Sequence, residues 1–233
     1  YYLVAGINHM AWFLEIKRNR ENLYPLLFNA MENPEIYKKD PVRFEVMKYF
    51  GYFSTESNFH LAEYLPYFNK RKELIKEFNT HGWIYLNVCE EGKDPTINKI
   101  NDEINGKSKI EIRRSDEYCS FILNSLENGD IFRFNGNIIN NGLIANLPED
   151  CCVEVPCFAE KNNIRPTFIG NLPSQCAALN LTNINVQRLS VEAAISGNKE
   201  KVLQAISLDP LTGAVLSLKE IEEMVNEMFE AES

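Results

Sequence analysis

The sequence predicts an α+β fold. Three observations carry that prediction. Short apolar or alternating runs gather in two places, at the N-terminus and between residues 131 and 168. Helical spacing fills the stretches between and after them. The regular strand–helix–strand alternation of a parallel sheet is absent. Mixed helices and short antiparallel strands are therefore expected.

The elements follow in chain order. Leu3 to Ile7 and Met10 to Ile16 are apolar runs separated by Asn8-His9, with Lys17-Arg18-Asn19-Arg20 as a polar turn behind them. Tyr24 to Met31 and Pro41 to Phe50 carry helical spacing. In the second, Val42, Val46, Tyr49 and Phe50 fall on one face, Asp40 is an N-cap candidate, Pro41 takes the first helical position and Gly51 stops the helix. Residues 54–68 mix aromatic and polar side chains, and Pro66 interrupts any helix there. A charged helix is expected over 69–79. Residues 87–109, rich in Asn with Gly92 and Pro95, read as an excursion with one short helix. Ser115 to Asn128 reads as a helix stopped by Gly129. Short strands are expected at Phe132–Phe134, Val153–Phe158 and Arg165–Ile169. The longest helical segment is Pro173 to Ser196, stopped by Gly197; its Ala177, Ala178, Val191, Ala193 and Ala194 suit close helix packing. A further helix is expected over 199–208. Ser217 and Glu220 form a capping box that opens the last one, which runs to about Phe229.

Composition narrows the function classes. The chain has 233 residues, 45% of them hydrophobic, and a formal net charge of −9. That length buries a sizeable core, and the composition excludes a disordered, collagenous or coiled-coil protein. The negative balance argues against nucleic acid as a partner, because binding phosphates calls for cations. No run of about 18 apolar residues exists, so no membrane span is expected. No signal peptide is visible. The six cysteines form no CxxC pair, which points to reduced, mostly buried thiols and a cytoplasmic setting.

Chemistry concentrates in two places. His9 closes the first apolar run, in Gly6-Ile7-Asn8-His9. It reads either as an imidazole that binds a metal or shuttles a proton, or as a hydrogen-bonded structural histidine. A metal would need further ligands. The second place holds Glu56, Ser57, His60, Glu63, Tyr64 and Tyr67. His60 and Tyr64 are four apart and Tyr64 and Tyr67 three apart, so on a helix they share a face. That face reads either as a sugar-pocket lining or as a buried aromatic stripe. Arg113 and Arg114 can hold an anion or belong to a solvated surface. Cys151 and Cys152 read as strand packing, since a vicinal disulfide is strained. Glu111, Glu154 and Glu192 are candidate carboxylates, but their spacing picks no pair. No GxGxxG, Walker or GxSxG motif is present.

GINHMAWFL (6–14), FGYFSTES (50–57), EYLPYF (63–68), VEVPCF (153–158) and GNLPSQCAALNLTNINVQRLSVEAA (170–194) resemble the family 4 glycoside hydrolases, most of all their melibiase-type α-galactosidase branch. The resemblance runs from residue 2 to about residue 229 and is weakest over 79–110. It implies the C-terminal domain of a lactate/malate-dehydrogenase-like enzyme, with residues 1–233 forming a substrate-, metal-binding and oligomerisation domain. The NAD-binding Rossmann domain and a Cys-His metal motif are then expected ahead of residue 1.

The implied activity is an NAD- and Mn2+-dependent α-galactosidase. NAD+ oxidises the sugar at C3, a tyrosine removes the C2 proton, a divalent metal stabilises the enediolate, and the aglycone leaves. Such a base needs a pKa well below the ordinary tyrosine value of about 10, which nearby metal charge lowers. By resemblance His9 is the metal ligand, Asn8 its polar neighbour at the sugar, Tyr64 the base with Tyr67 as runner-up, and Arg114 a substrate contact. His60 and Glu56 line the pocket. The implied partners are an α-galactoside and further copies of the chain, as a homodimer or homotetramer. The alternatives are an α-glucosidase or uronic-acid α-glycosidase of the same family, or a non-catalytic sugar-binding or assembly module.

Overall fold

A computed structural model describes residues 1–80, 95–110 and 117–232. The N-terminal runs form a hairpin of β1 (Tyr2–Ile7) and β2 (Met10–Arg18), and β3 (Glu21–Asn22) extends it. Lys17 and Arg18 lie inside β2, so the polar turn is shorter than expected and comprises Asn19 and Arg20, both at positive φ. The second group of strands is β4 (Phe132–Ile139), β5 (Cys152–Glu160) and β6 (Asn163–Pro166). All pairings are antiparallel, in the order β3-β2-β1-β5-β4, with β6 also on β5. β4 and β5 are longer than expected, and the Arg165–Ile169 strand ends at Pro166.

One row of this sheet matters for the site. Ala11 pairs with Gly6, Gly6 with Glu154, and Glu154 with Asn137, so these four residues line up across four strands. Gly6 is required there: a Cβ on it would come within 2.6 Å of the Ala11 Cα and 2.7 Å of the Met10 carbonyl oxygen.

The helices among the described residues are α1 (Tyr24–Met31), α2 (Pro34–Tyr37), α3 (Pro41–Phe50), α4 (Asn58–Tyr64), α5 (Lys72–Glu77), α6 (Pro95–Ile104), α7 (Cys119–Asn128), α8 (Ser174–Ser196), α9 (Lys199–Leu208), α10 (Pro210–Val215) and α11 (Leu218–Ala231). Those the sequence did not foretell, α2 and α10, are short, of four and six residues. Each opens on a proline after a side-chain cap, Asn33 or Asp209. Gly51 and Gly197 end α3 and α8 in the left-handed conformation, at φ 82° and 64°. The Ser217 capping box is formed. Of the expected excursion and of the helix from Ser115, residues 87–94 and 115–116 lie outside the described residues.

Three local expectations fail. Asp40 stands at the N-cap of α3 but does not cap it, because its carboxylate is committed to Arg43. Asn58 Oδ1 accepts from the Val42 N–H instead, at 2.7 Å. Tyr49 is exposed; Phe44 and Met47 take the buried positions beside Val42 and Val46. In α8, Ala177 and Ala193 are buried, but Ala178, Val191 and Ala194 face outward.

The core gathers Ile7, Met10 and Trp12 of the hairpin with Val42, Leu61 and Ile184 of three helices. Fully burying side chains of this size is worth roughly 1.5–3 kcal/mol each. Cys151, Cys157 and Cys176 are buried free thiols, and Cys119 and Cys152 are exposed free ones. Among the described residues no helix is long and apolar enough to cross a membrane.

Candidate active site

The two places marked in the sequence meet at one point. His9 occupies the turn between β1 and β2 with φ at 62°, left-handed for a residue with a full side chain. The segment after α3 then runs along β2 like a further short strand. Phe13 N–H donates to the Phe53 carbonyl (2.9 Å), Thr55 N–H donates to the Ala11 carbonyl (3.0 Å), and Trp12 bridges Ser54. This pairing carries Glu56 alongside His9, and His9 Nδ1 hydrogen-bonds Glu56 Oε2. The other Glu56 oxygen accepts from the Ser57 N–H at 2.6 Å. Ser57 in turn caps α4, and α4 brings His60 and Tyr64 over the imidazole. The His9 ring centroid lies 5.2 Å from that of His60 and 5.9 Å from that of Tyr64, the latter pair near parallel at 24°.

Helix α8 holds this arrangement from behind. Fully buried Asn180 donates to the Met10 carbonyl (2.6 Å) and accepts from the Trp12 indole (3.2 Å). One turn on, Asn183 donates to the Tyr64 carbonyl (3.3 Å). Both ends of the site are thus tied to one helix.

The electrostatics separate the groups. Burial pushes the Glu56 carboxyl up, but the Ser57 N–H and then His9 outweigh it, leaving Glu56 below its ordinary value and ionised. Burial, then the charges of Glu63 and Glu56, push the Tyr64 phenol above its ordinary value. The chain's own residues therefore oppose ionisation of Tyr64, contrary to what its expected role demands. Burial also raises the Glu154 carboxyl; the Glu56 charge adds to this, and His9 opposes it.

The remaining candidates are spread out. Tyr67 does not share a helix face with Tyr64, because α4 ends at Tyr64 and the chain is already extended at Leu65, ahead of Pro66. Its ring packs on Phe50 and Phe68 and lines a separate apolar cavity with Tyr49 and Phe78. His60 is half exposed and bonds Glu63 at 3.2 Å. Asn8 is exposed and lines a cavity of about 470 Å³ with Glu154 and Asn137. Glu192 is a surface partner of Lys201. Arg113, Arg114 and Glu111 lie outside the described residues. The sequence reading missed the positioning asparagines Asn180 and Asn183, which no local motif marks, and the selection of Glu154, which only strand register reveals.

A divalent metal finds a partial fit. With Nδ1 bonded to an ionised carboxylate, His9 has the backing typical of a ligating histidine and keeps Nε2 for a metal. Among the described residues no group of three His, Cys, Asp or Glu side chains could hold an ion, so the donor set needs a contribution from elsewhere.

Residues 4–212 match the model of the family 4 glycosyl hydrolase C-terminal domain. The chain belongs to glycosyl hydrolase family 4. Among family 4 proteins it is 46% identical over 231 residues to an alpha-galactosidase of Bacillus subtilis strain 168, covering 98% of this chain and 53% of that protein. It is 37% identical over 244 residues to an alpha-galactosidase of Rhizobium meliloti strain 1021, covering 100% of this chain and 50% of that one. The chain thus spans about half the length of the curated relatives it matches. A 6-phospho-alpha-glucosidase from gut microorganisms, solved in complex with NAD and Mn2+, shares the fold. The TM-score is 0.73 over 99% of this chain and 55% of that one, at 19% identity. The expected fold class, mixed helices and antiparallel strands of a family 4 C-terminal domain, is the one found.

Proposed function

We propose that this chain is the substrate- and metal-side domain of an α-galactosidase that works with NAD and Mn2+. The observation that carries the reading is the meeting of His9, Glu56 and Tyr64 in a family 4 chain with alpha-galactosidases among its relatives. His9 would hold the metal through the ring nitrogen that Glu56 leaves open. Glu56 fixes the plane and tautomer of the imidazole. Tyr64, lying flat beside His9, removes the proton from sugar C2. The bound metal supplies the Lewis acid and the positive charge that Tyr64 lacks in this chain. NAD finds no glycine-rich phosphate cradle in these residues, so its hydride chemistry falls to the rest of the protein. The five described cysteines are free thiols, in keeping with a cytoplasmic enzyme. Assembly as a homodimer or homotetramer completes the reading.

The test is hydrolysis of p-nitrophenyl α-galactoside by the longer protein. Turnover is expected only with NAD+, Mn2+ and reductant together, and the isolated 233 residues should be inactive. Activity that survives complete removal of NAD+ overturns the mechanism. Faster turnover of the α-glucoside or α-galacturonide replaces the sugar assignment and leaves the mechanism in place.

A further inference from the structure

Two sets of asparagines contrast in this protein. Four that hold the fold are bonded at both ends of the amide: Asn140 donates to three carbonyls and accepts from the Ile144 N–H, and Asn58, Asn146 and Asn180 each donate and accept. Around the cavity beside His9 the pattern reverses. Asn135 Oδ1 is the buried side-chain oxygen without a hydrogen-bond partner among the described residues. The side chains of Asn8, Asn137 and Glu154 also have none there. Buried and half-buried polar groups are normally bonded; the buried Asn135 oxygen and the half-buried Glu154 carboxylate are not, which leaves both to a ligand in the cavity they line with the exposed Asn8 and Asn137. Glu154 and Asn137 are directly opposite in the β4–β5 register, so the carboxylate and the amide stand side by side. Gly6, on the other flank of Glu154 in the same row, puts no side chain between them and the hairpin. Arg133 and the rings of Tyr2, Tyr118, Phe121, Phe132 and Phe134 complete the lining. Acceptors, an amide donor and aromatic faces suit a ring bearing many hydroxyls, since the rings cover its C–H face while the polar groups take its O–H groups. At about 470 Å³ the cavity lies within the range of small-molecule sites.

We propose that this cavity binds a sugar ring and that Glu154 is its principal hydroxyl acceptor, with Asn137 beside it. The proposal rests on the glycosidase reading above and adds a residue to it. The test uses the longer protein with NAD and Mn2+, and D-galactose as the probe. Titration calorimetry gives the galactose Kd, and kinetics with p-nitrophenyl α-galactoside give KM and kcat. E154Q should raise the galactose Kd about tenfold, as a charge-assisted hydrogen bond becomes a neutral one, with KM rising in parallel. N137A should raise both about threefold, as for one neutral bond. The thermal midpoint of E154Q should stay level or rise, because the change removes a half-buried charge that bonds nothing in the described residues. If both variants keep the wild-type Kd and KM while the wild type hydrolyses the galactoside, the pocket assignment falls and the glycosidase reading stands. A midpoint several degrees lower in E154Q, with Kd unchanged, makes Glu154 structural and also overturns the proposal. A wild type that neither hydrolyses the galactoside nor binds galactose removes both readings.

Discussion

Replacing Glu56 by glutamine probes the link between the carboxylate and the imidazole. Glutamine keeps the length of the side chain but has one acceptor oxygen; turned to His9 it gives up the bond to the exposed Ser57 N–H, while the Ser57 hydroxyl still caps α4. What changes is the acceptor at His9 Nδ1, from an ionised carboxylate to a neutral amide. Hydrogen bonds to charged groups contribute about 1.5–3 kcal/mol and neutral ones about 0.5–1.5, so the loss at His9 is about 1–1.5 kcal/mol. That is roughly tenfold in affinity, the lower end of the 10–100-fold effect of removing a carboxylate behind a ligating histidine. The assay is Mn2+ titration of the longer protein by calorimetry or electron paramagnetic resonance, with a thermal scan beside it. Expected is a Kd about tenfold higher at an unchanged midpoint. A Kd within twofold of the wild type would refute the idea that Glu56 sets up His9 for a metal.

Three further outcomes follow from the packing. Asn180→Ala strands the Trp12 indole N–H and the Met10 carbonyl in a fully buried place. At about 1–3 kcal/mol for each unsatisfied group, a loss of about 3 kcal/mol should appear in urea unfolding followed by tryptophan fluorescence; a loss below about 0.5 kcal/mol would show that the pair does not brace the hairpin. Iodoacetamide should label Cys119 first and Cys152 more slowly in the folded protein, leaving Cys151, Cys157 and Cys176 for the denatured one, as peptide mass mapping can read. Burial pushes the Cys176 thiol up to about 12 from 9.0, so the stability tied to its protonated form is complete below pH 9 and drains away as pH climbs toward 12.

The legible parts of this protein are those that short-range chemistry dictates. The hairpin around Asn8-His9, the glycine-stopped helices and the Ser217 capping box are all local, and all formed. What escaped is set by distance along the chain. Asn180 reaches Met10 across 170 residues, and no motif in either segment announces it. The strand-like run of Phe53 to Thr55 follows from pairing with β2, since its own sequence shows no alternation. Asp40 had the right residue type for a cap, but a nearby arginine competed for its carboxylate and won. Tyr67 was placed on a helical face that Leu65 and Pro66 do not continue. At the site, the pairing of His9 with Glu56 needed the fold, whereas the His9 and Glu56–Tyr64 segments themselves stood out by composition.

The left-handed backbone at position 9 gives that histidine two jobs that cannot be altered independently. A side chain there must both serve the chemistry and tolerate a turn that most residues resist. Substitution by alanine would therefore disturb the hairpin together with the ligand, and a lost activity could be traced to neither. Asparagine, which enters this conformation readily, separates the two. Whoever tests the role of the imidazole should compare the two replacements, because their difference in stability reports the turn and what they share reports the missing ring.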